Sequence, residues 1–121
     1  MVAIDLNSDL GESWGAYSKG EDEAVLSIIT SANVACGYHA GDPVVMRDTL
    51  KTAKIKEVAV GAHPSYLDLI GFGRRRIVGD SPEVLERQIA YQIGALQGIA
   101  AMTNTKVTHV KSHGSLGNVV A

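Results

Sequence analysis

The sequence has 121 residues, of which 45% are hydrophobic and 20% charged, with a formal net charge of −2 and one cysteine. That length supports one domain with its own core, and that composition is of an ordinary globular chain rather than a disordered or fibrous one. Lysine and arginine are scattered outside Arg74-Arg75-Arg76 and no apolar run is long enough to span a bilayer, so neither nucleic acid nor membrane is an expected partner. The lone Cys36 excludes an internal disulfide and a multi-cysteine metal cage, and the start has no basic and apolar leader, so a cytoplasmic protein is expected.

In chain order, residues 2–7 form a short β-branched and apolar run, read as the first strand, with residues 8–12 as a polar loop beyond it. Glu21-Asp22-Glu23 places acids in a first helical turn, and Val25, Leu26 and Ile29 follow at the spacing of one face, so a helix is expected to end near Thr30. Residues 32–36 read as the second strand. Gly37 and Gly41 flank His39, and Asp42-Pro43 reads as an N-cap and first helical residue, since the carboxylate accepts orphan N–H groups and proline has none to leave unpaired. Met46, Leu50 and Ala53 give that helix its apolar face.

The uninterrupted apolar run at residues 58–62 suits a parallel strand buried on both faces. A connection over residues 63–80 follows, rich in glycine and longer than is usual without a functional reason. Ser81-Pro82 opens the longest helix, with Leu85, Ile89, Ile93 and Leu96 on one side and Glu83, Glu86 and Arg87 on the other. Residues 106–111 read as a fourth strand, with Ser112-His113-Gly114 beyond it. Strand-helix alternation of this kind predicts a parallel sheet with right-handed crossovers.

Polar residues recur where these strands end: Asp9 and Glu12, His39 and Asp42, His63 and Ser65, Lys111 and His113. Parallel strands put their carboxyl ends on one side, so these groups are expected to converge where α/β sites are found. Asp9, His39 and His63 could bind a divalent metal with a position left open for water. Without metal, a carboxylate or imidazole could serve as general base, with Lys111 or His113 as the cation beside a developing oxyanion. Both readings predict attack on a carbonyl, while the same residues also fit plain capping and loop roles. His109 reads as a packed strand histidine. Arg74 or Arg75 could grip a carboxylate or phosphate, and the sequence contains no phosphate loop of the Gly-x-x-x-x-Gly-Lys type.

Several segments together resemble the LamB/YcsF family, the A subunit of bacterial 5-oxoprolinase. They are Asp5-Leu6-Asn7-Ser8-Asp9-Leu10-Gly11-Glu12-Ser13, residues 30–43, Gly61-Ala62-His63-Pro64-Ser65-Tyr66, Gly71-Phe72-Gly73-Arg74-Arg75, Tyr91-Gln92-Ile93-Gly94-Ala95-Leu96 and His109-Val110-Lys111-Ser112-His113-Gly114. The resemblance implies a parallel (β/α) barrel of the glycoside hydrolase/deacetylase type and an ATP-dependent opening of the lactam of 5-oxoproline to glutamate, together with B and C subunits. It makes Asp9, Glu12, His39, His63, Lys111 and His113 the catalytic candidates, and Asn7, Asp42, Ser65, Arg74 and Arg75 the substrate-binding candidates. A metal-dependent carbohydrate amide deacetylase, with Asp9, His39 and His63 as ligands, is the alternative, and a non-catalytic assembly module is a third reading.

The family usually has cysteine at Ser8, proline at Leu67 and Ser112, glycine at Glu57, alanine at Ser115 and tyrosine at Gly117. A glycine at position 57 suits a helix end closed by a left-handed residue. Family members are about twice as long, in line with the roughly 250 residues of a closed barrel. Residues 1–121 are therefore expected to form one domain, an N-terminal half-barrel of about four βα units. Its inner face is expected to be apolar and uncovered, to be closed by a C-terminal half or by a second copy.

Overall fold

The computed structural model describes residues 2–118. Four parallel strands, β1 (Asn7–Leu10), β2 (Ser31–Ala35), β3 (Ala59–His63) and β4 (Val107–Val110), lie in sequence order in one sheet. The helices α1 (Asp22–Leu26), α2 (Pro43–Ile55) and α3 (Pro82–Met102) form the connections, and α4 (Ser115–Asn118) follows β4. The core lies between sheet and helices: Leu10, Val34, Val60 and Ala62 from the strands meet Met46, Leu50, Ala53 and Leu96 from the helices, all buried. This is the half-barrel arrangement, with β1 paired only to β2 and β4 only to β3 among the described residues.

The helix termini follow from local chemistry. The Asp42 carboxylate accepts from the backbone N–H of Val44 and of Val45, both at 2.9 Å, and the Ser81 hydroxyl accepts from Val84 N–H at 3.3 Å. At the far end of α2 the N–H of Val58 donates to Ala53 O and that of Glu57 to Lys54 O, a pairing that places Glu57 in the left-handed region at φ 58°. The side chain there is strained by about 1 kcal/mol relative to glycine. Glu57→Gly is accordingly expected to raise the urea midpoint with an unchanged slope, and a lower midpoint would refute the assignment. Asn104 closes α3 in the same way, and asparagine tolerates that conformation well.

Three expectations are corrected. The first strand begins at Asn7 and includes Ser8–Leu10, because its partner β2 starts at Ser31 and the register pairs Asn7 with that residue; Val2, Ile4 and Leu6 are exposed. Helix α1 stops at Leu26, where the N–H groups of Ser27 and Ile28 turn back three residues to Ala24 O and Val25 O. The β-branched run Ile28-Ile29-Thr30 has little helical preference and leads straight into β2.

The inner face of the sheet is polar rather than apolar. Asn7 Nδ2 donates to Ser31 Oγ at 2.8 Å, Asn33 Nδ2 donates to Asp9 Oδ1 at 2.9 Å, and His109 Nε2 lies 3.0 Å from Asn33 Oδ1. Alternation explains it: in β2, Ala32 and Val34 join the core with the helices, which leaves Ser31 and Asn33 on the opposite face. His109 reaches Asn33 by lying across Gly61, where a Cβ would collide with the imidazole ring. An irregular register in β4, with Val107 opposite Val60 and Val110 opposite Ala62, sets that direction.

Candidate active site

At the carboxyl ends of the strands, the chain presents its charged and imidazole groups on short, tightly built turns. After β2, Gly41 adopts φ 82°, and its missing Cβ leaves room for the carbonyls of Gly11 and Ala35, at 3.0 and 3.2 Å from where that carbon would be. This close approach draws the turns after β1 and β2 together, so that Glu12 meets His39, with Oε2 2.7 Å from Nε2. His63 ends β3 and fixes its ring through Nδ1, which donates to the Lys111 carbonyl at 2.7 Å. Beyond β4 the backbone N–H of His113 donates to Pro64 O at 2.8 Å, and its Nε2 donates to Phe72 O at the same distance.

The three imidazoles form one buried cluster. The rings of His39 and His113 stack with centroids 3.6 Å apart and planes 7° from parallel, and His113 Nδ1 lies 3.0 Å from His63 Nε2. Glu12 Oε2 is 3.7 Å from His113 Nδ1, and Asp9 Oδ2 is 3.4 Å from His63 Nε2. On the open side Lys111 Nζ donates to Asp9 Oδ1 at 3.0 Å, its own side chain half exposed. Asp9 is held well below the usual carboxylate range, first by the His63 imidazole wherever its Nε2 carries a proton and then by Asn33 and Lys111, so it is ionised at neutral pH. Burial pushes His113 down to about 4, with the neighbouring His39 adding to the effect. Burial lowers His39 as well, against the opposing pull of Glu12. The stacked rings of His39 and His113 are therefore neutral, while fixed charges sit at the edge, on Asp9 and Lys111.

Of the residues singled out in the sequence, Asp9, Glu12, His39, His63, Lys111 and His113 are brought together. The potential metal-binding atoms that lie within 4.8 Å of one another belong to Glu12, His39, His63 and His113, a set that leaves out Asp9. Asn7 sits at the opposite, amino end of β1 and is linked to Asp9 through Asn33. Asp42 is occupied by the α2 cap and by the N–H of Gly15, at 2.7 Å. Ser65 is fully buried, with its hydroxyl donating to Tyr66 O at 2.8 Å. The Arg75 guanidinium pairs with the buried Asp68 carboxylate, Nε donating at 2.9 Å, whereas Arg74 is exposed with its guanidinium carbon 5.7 Å from the Phe72 ring centre. Cys36 is buried and its thiol is pushed up to about 11 by that burial, which leaves it inert.

Other parts of the site have no simple mark in the sequence. The loop at residues 64–81 folds back over the strand ends because Asp68 accepts from Gly71 N–H at 2.9 Å and Gly73 N–H donates to Asp68 O at 2.8 Å. Gly73, at φ 66°, then packs where a Cβ would collide with Ser65 Oγ and lie 2.9 Å from the His113 ring. Ser115, where the resemblance expected alanine, donates its hydroxyl proton to Arg75 O at 2.7 Å and its backbone N–H to Gly73 O at 2.9 Å, and so ties the turn beside His113 to this loop. Gln92 spans Ser65 N–H and C=O, both at 2.9 Å; its place among the apolar positions of α3 was the available signal. An open cleft of about 440 Å3, walled by Trp14, Tyr17, Leu69, Ile70 and Phe72, has Glu12 and His39 in its lining. Such a cleft suits a small ring with one apolar surface.

A parallel sheet covered by helices on one face, with its ionisable groups collected at the strand carboxyl ends, is the arrangement of part of a (β/α) barrel. The chain belongs to the LamB/YcsF family, whose sequence model matches residues 4–121. It is similar to the A subunit of 5-oxoprolinase from Nitrobacter hamburgensis, 57% identical over 98% of this chain and 46% of the relative. It is likewise similar to one of the 5-oxoprolinase A subunits of Pseudomonas syringae pv. tomato, the one numbered 3, 58% identical over 100% of this chain and 47% of the relative. The solved lactam utilization protein of Thermus thermophilus superposes with a TM-score of 0.92 at 44% identity, over 95% of this chain and 46% of that one. The chain thus spans about half the length of the relatives it matches. No helix among the described residues is long and apolar enough to cross a membrane.

Proposed function

We propose that this chain supplies the strand-end site of the A subunit of a 5-oxoprolinase, opening the lactam of 5-oxoproline to glutamate in a complex with B and C subunits. The observation that carries the reading is the convergence of Asp9, Glu12, Lys111 and three histidines beside an apolar cleft, in a chain whose relatives bear that name. Lactam opening adds water to the ring carbonyl, breaks the C–N bond and delivers a proton to the departing nitrogen. The Lys111 ammonium, aimed by Asp9, lies at the edge where a carbonyl oxygen gathering negative charge would be stabilised. Glu12, hydrogen-bonded to His39 next to the cleft, is placed to take a proton from the attacking water and to return it to nitrogen. Arg74 and Lys19, both near the Phe72 ring, provide positive charge at the rim for the substrate carboxylate.

ATP belongs to this reading through the family resemblance and is assigned to the assembled complex. The residues gathered here do not fit a triphosphate: the site presents the carboxylates of Asp9 and Glu12, and Lys111 is already paired. The remaining barrel wall is proposed to come from a C-terminal half. A second copy could close the sheet, but a separate half would bring different strand ends to the site. Reacting groups must be held to within about 1 Å, since such a misplacement costs on the order of a hundredfold in rate.

The test is ATP-dependent glutamate formation from 5-oxoproline by the chain alone, with a C-terminal half, and with B and C subunits added. Turnover is expected only in the complete mixture. A complete mixture without turnover refutes the lactamase reading. Activity of the chain alone, abolished by His39→Ala, refutes the need for partners.

A further inference from the structure

His63 and His113 face each other through the wrong pair of nitrogens for two neutral rings. A carbonyl oxygen only accepts, so His63 Nδ1, 2.7 Å from Lys111 O, and His113 Nε2, 2.8 Å from Phe72 O, both carry hydrogens. In a neutral imidazole the other nitrogen is then a bare lone pair. Those two lone pairs, on His63 Nε2 and His113 Nδ1, point into the same buried space at 3.0 Å. They repel unless a positive charge stands between them.

The surroundings are built for such a charge. Glu12 Oε2 lies 3.7 Å from His113 Nδ1, and Asp9 Oδ2 lies 3.4 Å from His63 Nε2. Two atoms each bound at 2.0–2.1 Å to a tetrahedral zinc ion are about 3.3–3.4 Å apart, so the separations of 3.0 and 3.7 Å bracket the edge of such a site. Two imidazoles and a carboxylate form the usual donor set of a zinc site with one open position. His39 has a different part. Its Nε2 is 2.7 Å from Glu12 Oε2, too close for two ligands of one ion but right for a hydrogen bond that orients the carboxylate.

We propose that Glu12, His63 and His113 bind a divalent transition-metal ion of the zinc type, through Oε2, Nε2 and Nδ1. Asp9 adds negative charge beside the ion, and the carbonyls of Lys111 and Phe72 fix the two ring tautomers. The donor set differs from the trio Asp9, His39 and His63 expected from the sequence by exchanging two members for groups that only the folded turns bring within reach. The ion takes Glu12 through Oε2, so the proton transfer proposed for Glu12 falls to its other oxygen, Oε1; the inference itself concerns binding of an ion and does not depend on which amide or lactam the site opens.

The rival cation is a proton on His63 Nε2, donated to His113 Nδ1, and metal binding separates the two. Untagged chain is stripped with a chelator, incubated with zinc or cobalt(II), passed through a desalting column and assayed for metal. One equivalent per chain is expected, with the intense visible absorption of four-coordinate cobalt. His113→Gln and Glu12→Gln are each expected to retain less than a tenth as much, while His109→Gln retains the full amount. Far-ultraviolet circular dichroism reports whether each variant is folded, and the cobalt spectrum of the parent decides the question even if a variant is not. A parent that retains no metal, shows only the weak bands of six-coordinate cobalt, or is matched by both folded variants overturns the site in favour of the proton.

Discussion

Asp9→Asn, introduced into the proposed lactam-opening complex, is expected to lower kcat by a hundredfold or more while changing KM much less. Among the described residues, Asp9 is the one carboxylate that contacts Asn33, His63 and Lys111 together, at 2.9, 3.4 and 3.0 Å. Asparagine keeps the shape but removes the charge that holds the Lys111 ammonium at the strand ends. The lysine side chain is half exposed, so once released it moves into solvent. A displaced cation no longer opposes charge developing on the carbonyl oxygen, and loss of a single such group commonly costs 10²–10³ in kcat, about 2.7–4 kcal/mol. The apolar cleft proposed to hold the substrate has neither Asp9 nor Lys111 in its lining, which is why KM should move little. Steady-state kinetics of the variant complex at neutral pH is the measurement. A kcat within threefold of the parent would show that Lys111 is placed by something else.

The second large effect is structural. Gln92→Met is expected to destabilise the chain by about 2–5 kcal/mol, because it strands two buried backbone groups with no water to replace the lost partner. Gln92 is fully buried in α3, accepts from Ser65 N–H and donates to Ser65 C=O, both at 2.9 Å, and also donates to Gln88 O at 3.1 Å. Methionine fills nearly the same volume, so the cost reports the lost hydrogen bonds rather than a cavity. Against a total stability of roughly 5–15 kcal/mol for a domain, that is a large share. Ser65 stands two residues beyond His63, so the same substitution loosens the turn that carries the imidazole. Urea unfolding with an unchanged slope and a much lower midpoint is the expected outcome; a loss below about 1 kcal/mol would mean that the Ser65 backbone finds other partners.

The chemistry of the site was partly legible because it depends on direction. Once the strands are known to be parallel, the last residues of each strand and whatever follows them lie at one edge of the sheet, so Asp9, Glu12, His39, His63, Lys111 and His113 could be gathered from the sequence, although Asp9 and His63 prove to lie within β1 and β3 rather than beyond them. Direction does not fix which atoms meet. Asp42 and Arg75 look equally suited to a substrate in sequence, yet the first is taken up by Gly15 and the α2 N-terminus and the second by Asp68. His109 reads as a packed strand residue, but the bare backbone of Gly61 lets it cross β3 to Asn33.

The sequence by itself determined the order of strands and helices and the caps at Asp42 and Ser81, while the left-handed backbone at Glu57 was only suggested, by the glycine the family usually has there. Each of these depends on groups within a few residues of one another, where backbone sterics and orphan hydrogen bonds leave few solutions. Only the tertiary structure decided that the inner face is polar, that Gln92 holds Ser65 across 27 residues and that His113 meets His63 across 50. Those pairings are settled by which side chain reaches a buried partner first once the loop at residues 64–81 has closed over the strand ends. Spacing along a chain carries no record of that competition, because hydrogen bonding in a closed space is decided by distance and by the partners already taken.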